Sequence, residues 1–141
     1  MDTAACLQQV RTQQPLVHHI TNWVTIYDCA QITKAFGASP VMAHALDEVA
    51  DMTGIASAVV LNIGTVTEEV LKSMLITCDT AHSRRIPVVL DVCGAGATPY
   101  RDRVVQELLD TDSISVIKGN ASEIARTAGL SVNTRGVDSG S

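Results

Sequence analysis

The sequence predicts an α/β protein with a mostly parallel central sheet and helices on both faces. Short apolar runs alternate with amphipathic stretches along all 141 residues, which is the pattern of successive βαβ units. The runs at 58–61 and 87–90 are apolar at every position, as expected of strands that helices cover on both sides. Ligands of such sheets bind beyond the carboxyl ends of the strands, so polar residues at those ends are the first candidates for a site.

The apolar runs predict five strands, and the stretches between and after them predict five helices. The clearest helix is at 67–82, where Val70, Met74 and Cys78 share one face. Gly37 and Gly129 are expected to end the first and last helices. The predicted strands are 16–20, 41–43, 58–63, 87–92 and 114–117, and the predicted helices are 23–36, 46–55, 67–82, 101–109 and 120–128.

Composition limits the class of protein. Hydrophobic residues make up 46% of the chain and aromatic residues only 3%, so the core must be aliphatic. A net charge of −5 without a basic run argues against a nucleic-acid surface. No apolar run is long enough for a bilayer. The start of the chain lacks a signal-peptide pattern and the four cysteines are scattered, which indicates a cytoplasmic protein with reduced thiols.

The turn into the last predicted helix carries Lys118, Gly119, Asn120 and Glu123. A helix N-terminus offers unpaired N–H groups and partial positive charge, and Lys118 adds a full charge, so this turn suits a phosphate. Glu123 suits a cation held beside that phosphate. Asn at the N-cap with Glu three residues later is also a variant of the capping box, which needs no ligand and is the commoner reason for such a pair.

Asp91 ends an apolar strand and opens the glycine-rich turn at 92–97. A carboxylate in this place suits Mg²⁺ near phosphates. Equally, Asp91 can cap a turn whose glycines permit positive φ angles. Gly94 and Gly96 lack the third glycine of a dinucleotide fingerprint, so the turn is weak support for NAD.

Four further positions have a structural and a functional interpretation. Asn22 follows the first strand and is by default a helix N-cap, or else a donor and acceptor for a small polar ligand. Met42 is more commonly core than ligand contact. His18 and His19 are adjacent on a strand, so their rings point to opposite faces, one expected to be buried and one exposed, and do not form a joint metal site.

Six motifs occur in the order found in a known family. Together they closely resemble the N-terminal half of the hydroxyethylthiazole kinase family, thiamin-salvage enzymes of the ribokinase-like superfamily. The resemblance implies a ribokinase-like layered fold, with residues 1–141 forming the N-terminal part of a single kinase domain. The motifs lie at 15–22, 37–43, 62–65, 91 with 96–101, 118–123 and 135–139.

The resemblance also implies an activity and a substrate pocket. The expected reaction is ATP-dependent phosphorylation of the hydroxyl of 4-methyl-5-(2-hydroxyethyl)thiazole in thiamin salvage. Family members form homotrimers with the thiazole near a subunit boundary. Carried over by motif, the thiazole pocket would contain Asn22, Val24 and Met42.

The same carry-over assigns a phosphate and metal site. Lys118 and Asn120 would bind the phosphates of ATP. Asp91 and Glu123 would hold Mg²⁺. The chain departs from the family at Val92, where the family commonly has proline directly after the aspartate.

The family's anion hole and candidate catalytic base lie in a second Gly-x-Gly element, followed by Cys or Asp, that the 141 residues do not contain. No catalytic residue of that kind is therefore assigned, and the chain is expected to continue past Ser141. Loss of even one oxyanion donor can cost roughly 10²–10³ in rate, so the 141 residues alone are not expected to be active. The alternatives are a kinase of the hydroxymethylpyrimidine type and a non-catalytic ligand-binding or assembly module.

Overall fold

A five-stranded parallel sheet organises the structure. The computed structural model describes residues 2–131, 134–135 and 138–139. The strands of the sheet are β1 (Leu16–Ile20), β2 (Ser39–Val41), β3 (Ala58–Asn62), β4 (Val88–Asp91) and β5 (Ile114–Lys118). They lie in the order β2-β1-β3-β4-β5, and each neighbouring pair is parallel.

Six helices accompany the sheet within the described ranges. They are α1 (Thr3–Gln13), α2 (Ile26–Ala35), α3 (Val49–Ile55), α4 (Glu68–Arg84), α5 (Pro99–Leu109) and α6 (Ala121–Thr127). Two short strands, β6 (Thr134–Arg135) and β7 (Asp138–Ser139), form a separate antiparallel pair. The predicted fold class is confirmed, while the motif expected at 135–139 lies partly outside the described residues.

One face of the sheet carries the main core. Buried side chains line up across it, because Ile20 pairs with Leu61 and Leu61 pairs with Leu90. Met74 and Cys78 of α4 belong to the same fully buried cluster. Each aliphatic side chain buried in this way contributes roughly 1.5–3 kcal/mol of transfer free energy. The aliphatic core expected from the composition is therefore the main support of the sheet.

The sequence pattern does not predict α1. Asp2 caps this helix, and its carboxylate accepts hydrogen bonds from the N–H groups of Ala4 at 3.0 Å and Ala5 at 3.4 Å. None of the residues of α1 is buried. Because α1 has no buried face, its apolar residues need not follow a helical period, and the amphipathic signal is weak.

Strand β2 lies earlier than the 41–43 segment predicted for it. Its residue Pro40 has no N–H group, which an edge strand tolerates. Past this strand, the carbonyl groups of Ala43 and His44 accept hydrogen bonds from side chains instead of from a neighbouring strand. The apolar run in the sequence therefore extends into a loop that other elements hold in place.

Both histidines of β1 are buried, so the expectation that one would be exposed is wrong. The two rings do point to opposite faces: His18 contacts Thr53 of α3, and His19 contacts Thr33 of α2. Helices therefore lie on both faces of the sheet at β1, which agrees with the predicted fold class.

Among the described helices, none has the length and apolar character that crossing a bilayer requires.

Acidification is expected to destabilise the protein through these two rings. Burial lowers the pKa of His18 despite the Ala43 carbonyl and the charge of Glu48, which act to raise it. Burial, and then the neighbouring His18, lower the pKa of His19. The unfolded chain thus takes up protons more readily, and stability present above about pH 6.5 is lost as the pH falls below it.

The measurement is thermal unfolding between about pH 8 and pH 5, where unperturbed histidine titrates. The unfolding temperature should fall towards the acidic end, and His18→Gln should reduce the slope. His82→Gln, at an exposed position of α4, is the matched control and should leave the slope unchanged. An unfolding temperature that does not change over this range would contradict the account.

Candidate active site

The order of the sheet reverses between β1 and β3, and two asparagines meet at that point. The side-chain amide of Asn22 donates to Oδ1 of Asn62 at 2.9 Å. The same oxygen of Asn62 accepts from the N–H of Gly64 at 2.8 Å. In open parallel sheets the crevice at such a reversal, beyond the carboxyl ends of the strands, is where ligands bind. Asn22, which was predicted at the end of the first strand, is thus joined here to the end of β3.

Asn22 is not the N-cap of a helix, which corrects the default interpretation. Its Oδ1 accepts from the N–H groups of Val24 and Thr25, each at 3.1 Å, and so closes a turn before α2 begins. Thr25 occupies the N-cap position without a side-chain capping bond. This turn is the reason that α2 begins at Ile26 and not at residue 23.

The three residues assigned to the thiazole pocket occupy two depressions. Asn22 and Val24 line a cleft of about 230 Å³ beside the loops that follow β3 and β4. Met42 lines a second, small depression together with alternate residues of the same segment, Thr21 and Trp23. The 21–24 turn therefore separates Met42 from Asn22 and Val24. The remaining lining residues are Thr25, Gly64, Thr65 and Cys93 in the first depression, and His19, Ile20, Ile26, His44 and Val70 in the second.

Glu123 is the buried anchor of the predicted phosphate turn. Oδ1 of Asn120 accepts from the N–H of Glu123 at 3.0 Å, and Oε2 of Glu123 accepts from the N–H of Asn120 at 2.7 Å. The capping-box interpretation is therefore confirmed. The other carboxylate oxygen, Oε1, accepts from the N–H of Gly94 at 2.7 Å. With only 5% of its surface exposed, Glu123 joins the loop after β4 to the start of α6.

Asp91 and Lys118 end neighbouring strands and form an ion pair. Nζ of Lys118 lies 2.8 Å from Oδ2 of Asp91. The hydrogen bond to Asp91 is the main cause that raises the pKa of Lys118, and the negative charges of Asp91 and Glu123 add to it. The lysine side chain is 68% exposed and the aspartate 17%. Asp91 and Lys118 thus lie together, as expected from their positions at the ends of two strands. Glu123 of α6 lies close enough for its charge to act on Lys118.

Two glycines bring backbone close to this cluster. A Cβ atom on Gly119 would lie 2.9 Å from Cγ2 of Val92 and 3.1 Å from Oε2 of Glu123. Gly94 has a φ of +78°, a left-handed conformation that side chains disfavour. The close packing of Gly119 and the backbone angle of Gly94 explain why glycine occupies these two positions.

Cys93 remains a thiol in this setting. Burial raises its pKa, and the negative charges of Asp91 and Glu123 raise it further. A thiol with a raised pKa is a poor nucleophile near neutral pH. The environment of Cys93 therefore favours a structural role over a reactive one.

Sequence reasoning missed Arg101, which lies on the first turn of α5. Its guanidinium donates to the carbonyl groups of Ile63 at 2.8 Å, Gly64 at 2.7 Å and Cys93 at 2.9 Å. These carbonyls belong to the loops that follow β3 and β4. Arg101 therefore joins the loop after β3 to the loop after β4. Its contacts with Ile63 and Gly64 span more than thirty residues and have no local sequence signal.

Comparisons with known proteins identify the family of the chain. The profile of the hydroxyethylthiazole kinase family matches residues 7–141. The chain belongs to the hydroxyethylthiazole kinase family. The resemblance read from the six motifs is thereby confirmed.

Two curated members of the hydroxyethylthiazole kinase family are identical to this chain at half or more of the aligned positions, which cover nearly all of it. The hydroxyethylthiazole kinase of Methanosarcina mazei is 59% identical over 133 residues, which cover 94% of this chain and 51% of that protein. The hydroxyethylthiazole kinase of Alkaliphilus oremlandii is 50% identical over 133 residues, covering 94% of this chain and 49% of that one. The chain spans about half the length of the curated relatives it matches.

A solved structure of the family has the same fold. The hydroxyethylthiazole kinase protein from Pyrococcus horikoshii OT3 superposes with a TM-score of 0.86 at 45% identity. The superposition covers 89% of this chain and 49% of that structure. The fold described above is thus shared with a known member of the family over the matched half.

Proposed function

We propose that this chain contributes the substrate pocket and the phosphate-binding edge of a kinase that transfers phosphate from ATP to the hydroxyl of 4-methyl-5-(2-hydroxyethyl)thiazole. The observation that carries the proposal is the shared edge of the sheet. It places the Asn22 cleft beside the cluster of Asp91, Lys118 and Glu123, with Arg101 bonded to loops on both sides. Phosphoryl transfer depends mainly on positioning and on electrostatic stabilisation, which this edge is suited to supply.

Two groups are proposed to face the phosphates of ATP. Lys118 supplies a largely exposed positive charge next to Asp91. Asn120 starts α6 directly after the tight Gly119 turn, where a polar side chain lies within reach of a phosphate oxygen. Arriving phosphates would compete with Asp91 for the lysine, so the ion pair is the part of the site that we expect to rearrange.

The residues fit a magnesium ion of the kind that nucleotides carry. In the described ranges, no group of three His, Cys, Asp or Glu side chains forms a self-sufficient metal site. Mg²⁺ in kinase sites usually takes one or two carboxylates, with waters and phosphates completing its shell. Asp91 supplies one such carboxylate at the end of β4, whereas Glu123, whose two oxygens already accept backbone N–H groups, would act on the ion through its charge. A bound Mg²⁺ would neutralise phosphate charge.

Truncating Met42 is expected to weaken the binding of hydroxyethylthiazole without affecting ATP. Met42→Ala removes apolar contact from its depression, and a well-buried side chain of this size is worth roughly 1–3 kcal/mol. Titration of each ligand separately measures the effect. Met52→Ala, on α3 and away from the depression, is the matched control. Lost ATP binding with retained thiazole binding would show that the pocket is wrongly assigned.

Removing the charge of Lys118 is expected to weaken ATP binding and leave stability nearly unchanged. Exposed ion pairs contribute at most about 1 kcal/mol to folding, whereas the lysine is proposed to meet phosphate directly. ATP titration and thermal unfolding of Lys118→Met measure the two effects. Lys72→Met, an exposed lysine of α4, is the control. Equal ATP affinity in the two variants would remove Lys118 from the phosphate site.

A competition experiment separates the proposal from its alternatives. Hydroxyethylthiazole and hydroxymethylpyrimidine are each titrated into the chain joined to the second half of a family member, and each is offered with ATP. Preference for the thiazole with turnover supports the proposal, and preference for the pyrimidine identifies the other kinase type. Thiazole binding without turnover, even when the second half of a relative is supplied, would indicate a binding or assembly module.

We further propose that the protein acts in the cytoplasm as a homotrimer, as the family resemblance implies. Exposed apolar side chains beside the Asn22 cleft support an intersubunit boundary there. Val24 is 82% exposed and Tyr27 is 71% exposed. Sedimentation analysis of Val24→Asp tests this point, because a charge inside an apolar boundary should dissociate the trimer.

A further inference from the structure

We propose that His18 and Ser73 are positioning residues of the substrate pocket, which hold the loop after β2 and thereby fix Met42 and His44. The inference rests on the proposed function, because it takes Met42 as a contact of the alcohol substrate. Neither His18 nor Ser73 lines the depression that contains Met42. Both are fully buried, and each acts through the backbone of the loop.

Two carbonyl groups of the loop after β2 accept hydrogen bonds from buried side chains. Nε2 of His18 lies 2.6 Å from the carbonyl oxygen of Ala43. The hydroxyl of Ser73, on α4, donates to the carbonyl of His44 at 2.7 Å. Strand β2 ends at Val41, so residues 43 and 44 have no backbone hydrogen bonds to a neighbouring strand. The two side-chain hydrogen bonds hold the loop instead. Consecutive residues are thus tied to β1 and to α4.

The direction of the His18 bond is fixed by its partners. A carbonyl oxygen only accepts, so Nε2 carries the hydrogen and donates to Ala43. Because burial lowers the pKa of His18, the ring is neutral near pH 7 and Nδ1 is an acceptor. Thr53 places its hydroxyl 3.0 Å from Nδ1. The ring is therefore clamped between α3 and the loop in one orientation.

The loop forms one wall of the depression. Met42 and His44 both line it, and the His44 ring meets Trp23 edge-on with centroids 5.5 Å apart. A shift of the 43–44 carbonyls would move the two side chains relative to Trp23. Loss of the hydrogen bond to either carbonyl group is therefore expected to alter the shape of the pocket, while every side chain that lines it stays in place in the sequence.

The protein offers probes for this shift that need no substrate. Trp23 is its single tryptophan, and Met42 is one of four methionines. Isotope labelling of the methionine methyl groups gives a nuclear magnetic resonance signal for Met42, and Trp23 fluorescence reports its contact with His44. Hydroxyethylthiazole and ATP titrations give the functional readout.

The variants are Ser73→Ala and His18→Ala, with His18→Gln as the conservative replacement that retains a donor near Nε2. Thr77→Val is the control, since Thr77 is a buried hydroxyl that contacts Thr53 but neither loop carbonyl. In Ser73→Ala and His18→Ala, we expect the Met42 signal and the Trp23 emission to shift. Thiazole affinity should fall about fivefold, the equivalent of one hydrogen bond, with ATP affinity unchanged. Thr77→Val should leave the Met42 signal, the Trp23 emission and both ligand affinities unchanged. His18→Gln should reverse most of the changes that His18→Ala causes.

Unchanged Met42 and Trp23 signals in Ser73→Ala would overturn the inference, and this milder variant decides the matter if His18→Ala does not fold. Equal shifts in Thr77→Val would also overturn it, because the effect would then be general to the core. If the unmodified protein binds no hydroxyethylthiazole, the proposed function fails, while the Met42 and Trp23 signals still decide whether the two residues position the loop.

Discussion

Replacing Glu123 by glutamine is expected to lower the free energy of unfolding by about 1–3 kcal/mol, the cost of leaving a buried donor unsatisfied. Both carboxylate oxygens accept backbone N–H groups, from Gly94 and from Asn120, and the side chain is buried. Glutamine has one acceptor oxygen, so its NH₂ group would face one of these donors. The capping box alone would tolerate glutamine, and the contact with Gly94 is what makes the substitution costly.

Urea unfolding of Glu123→Gln measures this loss. Glu69→Gln, an exposed glutamate in the first turn of α4, is the control and should change stability little. Phosphoryl transfer should also fall, because Gly94 and α6 lose their common anchor. A Glu123→Gln protein as stable as the unmodified one would show that the carboxylate is not satisfied as the structure indicates.

Replacing Arg101 by methionine is expected to cost roughly 1.5–3 kcal/mol of stability, the range for hydrogen bonds to charged groups. The guanidinium donates to three carbonyl groups, and methionine keeps the bulk but none of the donors. The loops on the two sides of the site would no longer be joined. Substrate turnover should therefore fall further than the loss of stability alone explains, since small displacements of reacting groups are costly.

The control for Arg101 lies on the same helix. Arg103 forms ion pairs with Glu68 and Glu107 at the surface, so Arg103→Met should have a much smaller effect. Unfolding is measured for both variants of the chain, and turnover for both variants joined to the second half of a family member. If the two substitutions have equal effects on unfolding and turnover, the carbonyl contacts of Arg101 do not organise the site.

The fold was predictable because its signals are local. A strand covered on both sides must be apolar throughout, as at 58–61, and a helix over the core must show its period, as α4 does. The parallel order of the strands then brings their carboxyl ends to one edge. This is why Asp91 and Lys118, separated by 27 residues, could be expected at one site.

The parts that were missed depend on contacts between distant segments. The partnership of Asn22 with Asn62 spans 40 residues, and that of Arg101 with Ile63 spans 38. An asparagine interrupting the apolar run of β3 was the available signal for the first. The burial of both histidines depends on which hydroxyl groups α2 and α3 present to β1, and a strand pattern does not contain that information.

The account is tested most directly by phosphoryl transfer in a hybrid protein, in which the second half of the Methanosarcina mazei relative is joined to this chain. Radiolabelled ATP is supplied with hydroxyethylthiazole, and labelled phosphate on the alcohol is measured for the unmodified hybrid and for Asp91→Asn. The account predicts labelling by the unmodified hybrid and a loss on the order of 10²-fold or more in the variant, comparable to removal of one group that stabilises transition-state charge. A folded hybrid that labels no alcohol, or an Asp91→Asn hybrid as fast as the unmodified one, would contradict it.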